Sequence, residues 1–501
     1  VVPEATLNEN HDKFASGLYD MSKLTERVYL ASPVWTQKLG VHAFGWYWRH
    51  RRLGPAFEKH QREYIEREGW SSDRFQNYVE EGLRNQLLHA FQNVPYYHHK
   101  FREYGISEPD IVRFRMDDLP RFPLLEKPLL RTNPELLLTR HAAKHPPRCF
   151  QTSGTTGTPL RLYWDFECHQ HNIAVRAARS FRWAGVGYRE PRAVVAGRVI
   201  LDPKRNLPPF WRFNIWEKQL YLSAFHILPQ NMPDYVVALD KYRPVTLTGF
   251  PAALSFLAKA IEDAGLRPPK PRAIITTSEA LRPEMREIIE RVFQTKAYEE
   301  YGSVENCVLA TECEHGQMHV HSDFGFVELL RPDQTAAGSG ETGEMVVTGF
   351  ANKSQILIRY RIGDLAQWSA KPCPCGRTLF PVLEAVVGRQ EDVLLFPDGR
   401  GMMRCEFLFK DLPGVAEAQV VQESLTHLVI NIVPSVQYGG SEADMIRTRM
   451  RSRYGLGQDY QIEVRRLEKI PRERNGKFRP VVSHLDIHSV ARGAASARTP
   501  M

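Results

Sequence analysis

The chain has 501 residues, 43% hydrophobic and 25% charged, too long for one ordinary core, so two or more domains are expected. Its 66 Lys and Arg against 58 Asp and Glu give a net charge of +8, which suits anionic partners such as nucleotides, coenzyme A or an acidic carrier protein, although a merely solvated basic surface is the preferred reading. No apolar run approaches the ~20 residues of a membrane helix, the opening VVPEATLNENHDK has no apolar signal core, and seven dispersed cysteines argue against a secreted disulfide framework, so the expected setting is cytoplasmic.

Residues 1 to about 145 read as mostly helical, with amphipathic stretches such as Asp73–Gln92 separated by proline-containing breaks. Within them Trp46-Tyr47-Trp48-Arg49-His50-Arg51-Arg52 mixes aromatics with cations, a composition found at nucleic-acid and membrane surfaces. The expectation here is a helix packing its aromatics inward, with neither nucleic acid nor membrane as partner.

From about Cys149 the pattern becomes mixed α/β. Gln151–Pro159 (QTSGTTGTP) interleaves Gly154 and Gly157 with the hydroxyls of Ser153, Thr155, Thr156 and Thr158. Glycine permits close approach to a ligand, and successive amides and hydroxyls can surround a phosphate. No lysine follows the second glycine, so this is not a P-loop, and Leu160–Trp164 reads as a strand rather than a helix. By itself such a loop is equally a flexible hairpin. Farther on, Ala273–Thr277 reads as a buried strand, Arg282–Phe293 as an amphipathic helix and Lys296–Tyr301 as the next strand. Val320–Leu329, Glu344–Thr348 and Ile356–Arg361 are strand-like. Gly388 is the expected domain boundary. Beyond it come a hairpin in Val393–Met402, strands near Glu417–Gln422 and His427–Val433, a helix near Ser441–Arg453 and a strand near Gln461–Leu467. Residues after about 487 have no core pattern and read as a disordered tail. No internal repeat is visible.

Four further segments follow the glycine-rich loop in fixed order: YGSVEN at Tyr301–Asn306, YRIGD at Tyr360–Asp364, GRQED at Gly388–Asp392 and PRERNGKFR at Pro471–Arg479. Together the five resemble the adenylate-forming superfamily of acyl-CoA synthetases, luciferases and peptide-synthetase adenylation domains. CPCGR at Cys373–Arg377 and TECEHGQMHVHSDFGFVEL at Thr311–Leu329 are similar to the phenylacetate-CoA ligase-like branch, while NVPYYHHKF at Asn93–Phe101 and PPFWRFN at Pro208–Asn214 resemble its CapK-type members. The resemblance implies an α/β fold: a large N-terminal domain (1–388) with a helical start and mixed sheets, a small mobile α/β C-terminal domain (389–487), and the tail 488–501.

It also implies roles. Lys477, amid Arg472, Arg474 and Arg479, would stabilise the charge that develops when a carboxylate meets the ATP α-phosphate. Glu305 would hold Mg²⁺, and Thr155 joins these two in the catalytic set. Nucleotide binding falls to Ser153, Gly154, Thr155, Thr156, Gly157, Ser278, Glu279, Ala280, Tyr301, Gly302, Ser303, Asp364 (ribose hydroxyls) and Arg389. The family often has Thr where Ile362 stands, but the aspartate is intact. Glu391 takes the hinge position. His226, Phe250 and Pro251 are acyl-pocket candidates, His226 being equally an ordinary core histidine. Cys313, His319, Cys373 and Cys375 can ligate a structural Zn²⁺, with His315 and His321 as competing nitrogen ligands and free loop cysteines as the alternative.

The activity implied is ATP-dependent conversion of an acid to an acyl-adenylate, then transfer to a thiol, most often coenzyme A. Transfer to a carrier-protein thiol, amine or hydroxyl, nucleotidyl transfer alone, and a non-catalytic assembly factor are the alternatives. Neither the acid nor the oligomeric state can be read from the chain.

Overall fold

The computed structural model describes residues 28–151, 160–196, 198–202, 204–331, 333–387, 394–397, 401–402, 408–409, 412–470 and 481–485. Helices Val34–Arg52, Pro55–Arg67, Ser72–Asn93 and Pro95–Glu103 open it, in line with the helical reading of this region. Their starts are written locally: proline occupies the first turn of the second and fourth, where a missing N–H costs nothing, and Ser71 caps the third by accepting from the Arg74 amide at 3.4 Å. Trp48 does pack inward, with its side chain fully buried, but Trp46 on the same helix is half exposed, so the expectation that this segment hides its aromatics holds for only one face.

Strands β1 (Arg148–Gln151) and β2 (Arg161–Trp164) pair antiparallel with Gln151 opposite Arg161, so strands flank the glycine-rich loop on both sides. A twelve-stranded sheet follows: β3 (Arg192–Ala196), β4 (Trp211–Asn214), β5 (Gln219–Ser223), β6 (Thr246–Gly249), β7 (Ala273–Thr277), β8 (Ala297–Gly302), β9 (Leu309–Glu312), β10 (Met318–Val320), β11 (Gly325–Leu330), β12 (Thr342–Gly349), β13 (Tyr360–Trp368) and β14 (Val382–Val387). Their order is β11-β12-β13-β14-β10-β9-β8-β7-β6-β3-β5-β4. The run β5-β3-β6-β7-β8 is parallel, and every pair on either side of it is antiparallel.

The parallel part is covered on both faces, as an uninterrupted apolar strand demands. Along β7 the side chains alternate. Ile274 joins a core with Leu257 and Ile289 from helices Pro251–Asp263 and Pro283–Phe293. Ala273 and Ile275 join another with Ile173 and Phe181, from the helix Phe166–Arg176 and the turn of π-helix that continues it.

Two strand expectations need correction. Val320–Leu329 is not continuous: β10 ends at Val320 and β11 begins at Gly325. The break is a turn at Asp323, whose buried carboxylate accepts from Arg67 Nε at 2.8 Å and Arg179 NH2 at 3.2 Å. Ile356–Arg361 is likewise not a strand from its start. Arg359 takes a left-handed φ of 45°, and pairing begins only at Tyr360.

Farther along, β15 (Leu394–Leu395) pairs with β16 (Gly401–Met402), and β17 (Val415–Ser424), β18 (His427–Pro434), β19 (Gln461–Arg466) and β20 (Val481–Ser483) form a sheet in the order β19-β18-β17-β20. With the helix Glu442–Tyr454 they enclose their own core, including Val420, Ile430, Ile446 and Tyr454. No helix among the described residues is long and apolar enough to cross a membrane.

Aromatic packing around one histidine joins the first helix to the hairpin β1–β2. His169, 5% exposed, lies 5.4, 4.8 and 5.0 Å (ring centroids) from Trp48, Phe150 and Trp164. Burial, then the charges of Arg51, Arg52 and Arg148, hold its pKa down to about 2. A histidine neutral in the fold but titrating near 6.5 when unfolded takes up its proton preferentially in the unfolded state. Its contribution is therefore complete above pH 6.5 and declines as pH falls from there towards 2. Denaturant titrations of the protein and of His169→Phe should separate by about 2 kcal/mol in their change between pH 7 and pH 5, the native protein losing more.

Candidate active site

Several of the sequence-predicted residues stand at the ends of neighbouring strands. The carboxyl end of β5 leads to His226, that of β6 to Phe250 and Pro251, that of β7 to Ser278, Glu279 and Ala280, and β8 ends in Tyr301 and Gly302 before Ser303 and Glu305. Strand β3 lies between β5 and β6, so the order reverses there, and open α/β sheets take ligands in the crevice outside such carboxyl ends.

Each end has a local cause. A Cβ on Gly249 would lie 2.1 Å from the Val195 carbonyl oxygen, so only glycine lets β6 press against β3. Phe250 N–H then donates to that same oxygen at 3.1 Å and turns the chain into the helix that Pro251 begins. His226 is buried, stacked on Phe210 at 5.0 Å, with Nδ1 2.8 Å from Ser223 Oγ. Both readings of this histidine survive: it packs as a core residue, and it stands at the carboxyl edge. Its neighbour Phe225 packs against the core of the smaller unit. After β7, Ser278 adopts φ 75°, a conformation uncommon outside glycine. The turn is tied to β8 where Leu281 N–H donates to Glu299 Oε1 at 3.0 Å, burial holding Glu299 above the usual carboxylate range.

Glu305 sits in a tight turn in which Asn306 N–H donates to the Ser303 carbonyl at 3.1 Å and Asn306 takes φ 58°. Trp164 Nε1 donates to the Val304 carbonyl at 3.0 Å, and Asn172 Nδ2 to Asn306 Oδ1 at 2.6 Å, fixing the turn from both sides. Glu305 is buried, and Tyr360 donates to its Oε1 at 3.4 Å. Tyr301 donates its hydroxyl hydrogen to Asp364 Oδ2 at 2.7 Å, bringing together two motifs 63 residues apart.

Strand β13, which carries Tyr360 and Asp364, is held by groups that sequence reasoning did not single out. The buried Arg359 guanidinium pairs with Glu328 through two hydrogen bonds of 2.9 and 3.0 Å and donates to the Phe122 carbonyl at 2.6 Å. Leu125 N–H donates to the Arg359 carbonyl at 2.9 Å, and Arg361 N–H to that of Leu125 at 3.0 Å. Lys127 Nζ donates to the Ile362 carbonyl at 2.9 Å, two residues before Asp364. The sequence signals were slight: Tyr360 stood inside a quoted motif, but nothing linked 122–127 to it.

A second cluster lies where β9 and β10 meet the Cys373–Cys375 loop. The donor atoms of Cys313, His319, Cys373 and Cys375 all lie within 4.8 Å of one another. Cys313 Sγ is 3.6 Å from Cys373 Sγ, and Cys375 Sγ is 3.3 Å from His319 Nε2. His319 Nδ1 lies 3.1 Å from the Phe380 carbonyl, which fixes the tautomer and turns Nε2 toward the sulfurs. Burial holds this imidazole below its ordinary pKa, in the neutral form that ligates. Tetrahedral zinc with bonds of about 2.3 Å to sulfur and 2.0 Å to nitrogen separates its ligands by roughly 3.5–3.8 Å, so donor set and spacing fit that ion. His321 is engaged elsewhere, its Nε2 2.8 Å from Thr311 Oγ1. Ser153, Gly154, Thr155, Thr156, Gly157, Arg389, Glu391 and Lys477 lie outside the described residues.

Comparison with known proteins gives a consistent result. Residues 402–484 match the family described as CapK C-terminal domain. The chain is 25% identical to protein CapK of Staphylococcus aureus over 477 residues, 91% of this chain and 99% of that one. It is 24% identical to the phenylacetate-coenzyme A ligase of Thermus thermophilus over 336 residues, 63% of this chain and 70% of that one. Among solved structures, 2-hydroxyisobutyryl-CoA ligase in complex with 2-HIB-AMP and CoA superposes with a TM-score of 0.54 at 20% identity, covering 86% of this chain and 93% of that one. At that identity the match speaks to the fold, a large mixed-sheet part followed by a smaller α/β part.

Removing the Arg359 guanidinium leaves the half-buried Glu328 without its charge partner. Arg359→Met should cost about 3–5 kcal/mol in denaturant titrations, and the double variant Arg359→Met, Glu328→Met should recover part of that loss.

Proposed function

We infer the chemistry from lineage and site together: this chain belongs to the CapK-type, phenylacetate-CoA ligase-like branch of the adenylate-forming enzymes and is an AMP-forming acid ligase. The reaction we assign is activation of a carboxylic acid by ATP, followed by transfer of the acyl group to a thiol, coenzyme A first among them. The observation that carries it is the placing of Ser278–Ala280 and Tyr301–Glu305 at the carboxyl ends of β7 and β8, with Asp364 brought to them by the 2.7 Å Tyr301–Asp364 hydrogen bond.

In this reading a carboxylate oxygen of the acid attacks the α-phosphorus, the bond to the bridging oxygen of pyrophosphate breaks, and acyl-adenylate remains. Asp364 accepts from the ribose hydroxyls, Tyr301 and Gly302 flank the nucleotide–acyl junction, and Ser278–Ala280 line the adenine. His226, Phe250 and Pro251 face the acyl group. Ser153–Gly157 with Thr155, and Arg389, address the phosphates and ribose. Lys477 meets the charge of the pentavalent phosphorus. Glu305 is the carboxylate that would hold Mg²⁺, which when bound offsets the phosphate charge. A thiolate then attacks the acyl carbon and AMP leaves.

The same proposal divides the chain at 388, with Glu391 as hinge and 488–501 as tail. The separate core and sheet of the residues after 394 support that division, and Phe225 beside His226 is where this unit already packs against the carboxyl edge. Zinc at Cys313, His319, Cys373 and Cys375 is assigned a structural role, since four protein donors leave no open position.

A second reading concerns only the acceptor. The alternative to coenzyme A is a carrier-protein thiol, an amine or a hydroxyl; similarity to the phenylacetate ligase, whose name specifies coenzyme A, spans 63% of this chain, and similarity to CapK spans 91%.

ATP–pyrophosphate exchange across aromatic, fatty and amino-substituted acids should show acid-dependent exchange that Lys477→Ala lowers by about 10²–10³-fold. Absence of exchange across that panel would refute the assignment for these acid classes, and conversion of acyl-AMP to acyl-CoA on adding coenzyme A separates the two acceptors. Metal analysis of protein purified without added metal should give one zinc per chain, lost in Cys375→Ser with a lower melting temperature.

A further inference from the structure

The first helix has a second apolar face that nothing in the described molecule covers. On Val34–Arg52, Trp35, Leu39 and Trp46 are 66%, 58% and 50% exposed. Steps of four and seven residues put all three within about 40° of one line along a helix of 3.6 residues per turn. The opposite face, with Gln37, Val41, Gly45 and Trp48, is the buried one, seated along β4: a Cβ on Gly45 would run into Asn214, and Gln37 Oε1 accepts from Arg212 Nε at 3.1 Å. At the far end of the helix Arg49 donates to the Trp216 carbonyl at 2.7 Å, which joins Ile215 (52% exposed) and Trp216 (42%), in the turn between β4 and β5, to the same surface.

Charge selects the occupant. The helix has no Asp or Glu; Lys38 and Arg49 are exposed at one margin of the apolar line, while Arg52 turns inward to pair with the buried Glu217 at 3.0 Å. A second copy docking by two-fold symmetry would set cations against cations. Indole and leucine side chains bordered by lysine and arginine suit the boundary of an anionic bilayer, where the rings sit at headgroup depth and the cations meet lipid phosphates. Position agrees. Since β4 runs antiparallel to β5 with Asn214 opposite Gln219, the Trp216 turn lies at the amino end of β5, the end remote from His226 and the carboxyl edge. A surface seated there leaves that edge facing away.

We propose that the exposed face of Val34–Arg52, with Ile215 and Trp216, docks this protein on anionic lipid membranes as a peripheral contact. The proposal is independent of the acid activated or the acyl acceptor.

The test is co-sedimentation of the full chain with vesicles of equimolar phosphatidylglycerol and phosphatidylcholine, against pure phosphatidylcholine. Preferential binding to the anionic vesicles is expected, weakening with salt and accompanied by a blue shift of tryptophan emission. Lys38→Ala and Arg49→Ala should each lower the partition about fivefold. The triple variant Trp35→Ala, Leu39→Ala, Trp46→Ala should abolish binding while its circular dichroism and melting temperature stay native. Three results would overturn the proposal: equal binding to both vesicle types, retention of binding by a folded triple variant, or self-association in sedimentation that the triple variant removes. Binding by a chain lacking residues 1–27 but not by the full chain would overturn it too, assigning the face to the protein's own first residues.

Discussion

Strand β13 reaches the candidate site already fixed, because a buried guanidinium will not surrender its partner. Arg359 is 3% exposed, in a left-handed backbone conformation, and satisfied by Glu328 and the carbonyls of the 120–122 segment. Its charge cannot be left in a low-dielectric interior unpaired, so the backbone accepts an unfavourable φ to keep the pairing. From that fixed point Tyr360 extends to Glu305 and, four residues on, Asp364 to Tyr301. The helical first third of the chain thus bears on the site through Leu125 and Lys127, which hold the start of β13 like one more strand.

The two polar clusters obey opposite logic. Around Asp323, Arg67 and Arg179, with Glu68, opposite charges are paired inside the protein. Around Cys313 three sulfurs and an imidazole nitrogen lie within 4.8 Å of one another, joined only by weak sulfur contacts such as Cys313 Sγ to Cys373 Sγ at 3.6 Å. Three soft sulfurs and one imidazole nitrogen at that spacing form a donor set that suits a tetrahedral ion, and this is what the proposed zinc site rests on.

How far the sequence could be read depended on whether a feature was periodic or pairwise. The β7 strand and the helix after it were legible because apolar spacing records which face is buried. The interruption of Val320–Leu329 was not: the polar run His321-Ser322-Asp323 is short between apolar flanks, and only the distant Arg67 and Arg179 explain why Asp323 turns inward. The same holds for the late start of β13. Trp46 misled because an aromatic beside Trp48 looks like core, and only packing against β4 decides which of two neighbouring indoles faces in. Motif order singled out Glu305, Asp364 and Tyr301 as candidates, but the contact between Tyr301 and Asp364 spans 63 residues, and no local pattern encodes it.

Strand β8 is the seam where the parallel half ends and the antiparallel half begins, paired with β7 on one side and β9 on the other. In the proposed assignment the nucleotide groups hang from β7, β8 and β13, on both sides of the seam, while the acyl candidates hang from β5 and β6, wholly within the parallel half. Lengthening or reshaping the turns after β5 and β6 therefore changes the shape offered to the acid without disturbing the register of the strands that face the nucleotide. Such a sheet is a chassis with one fixed end and one interchangeable end, and descendants of a common ancestor could diverge in the acid they take while inheriting the same handling of ATP.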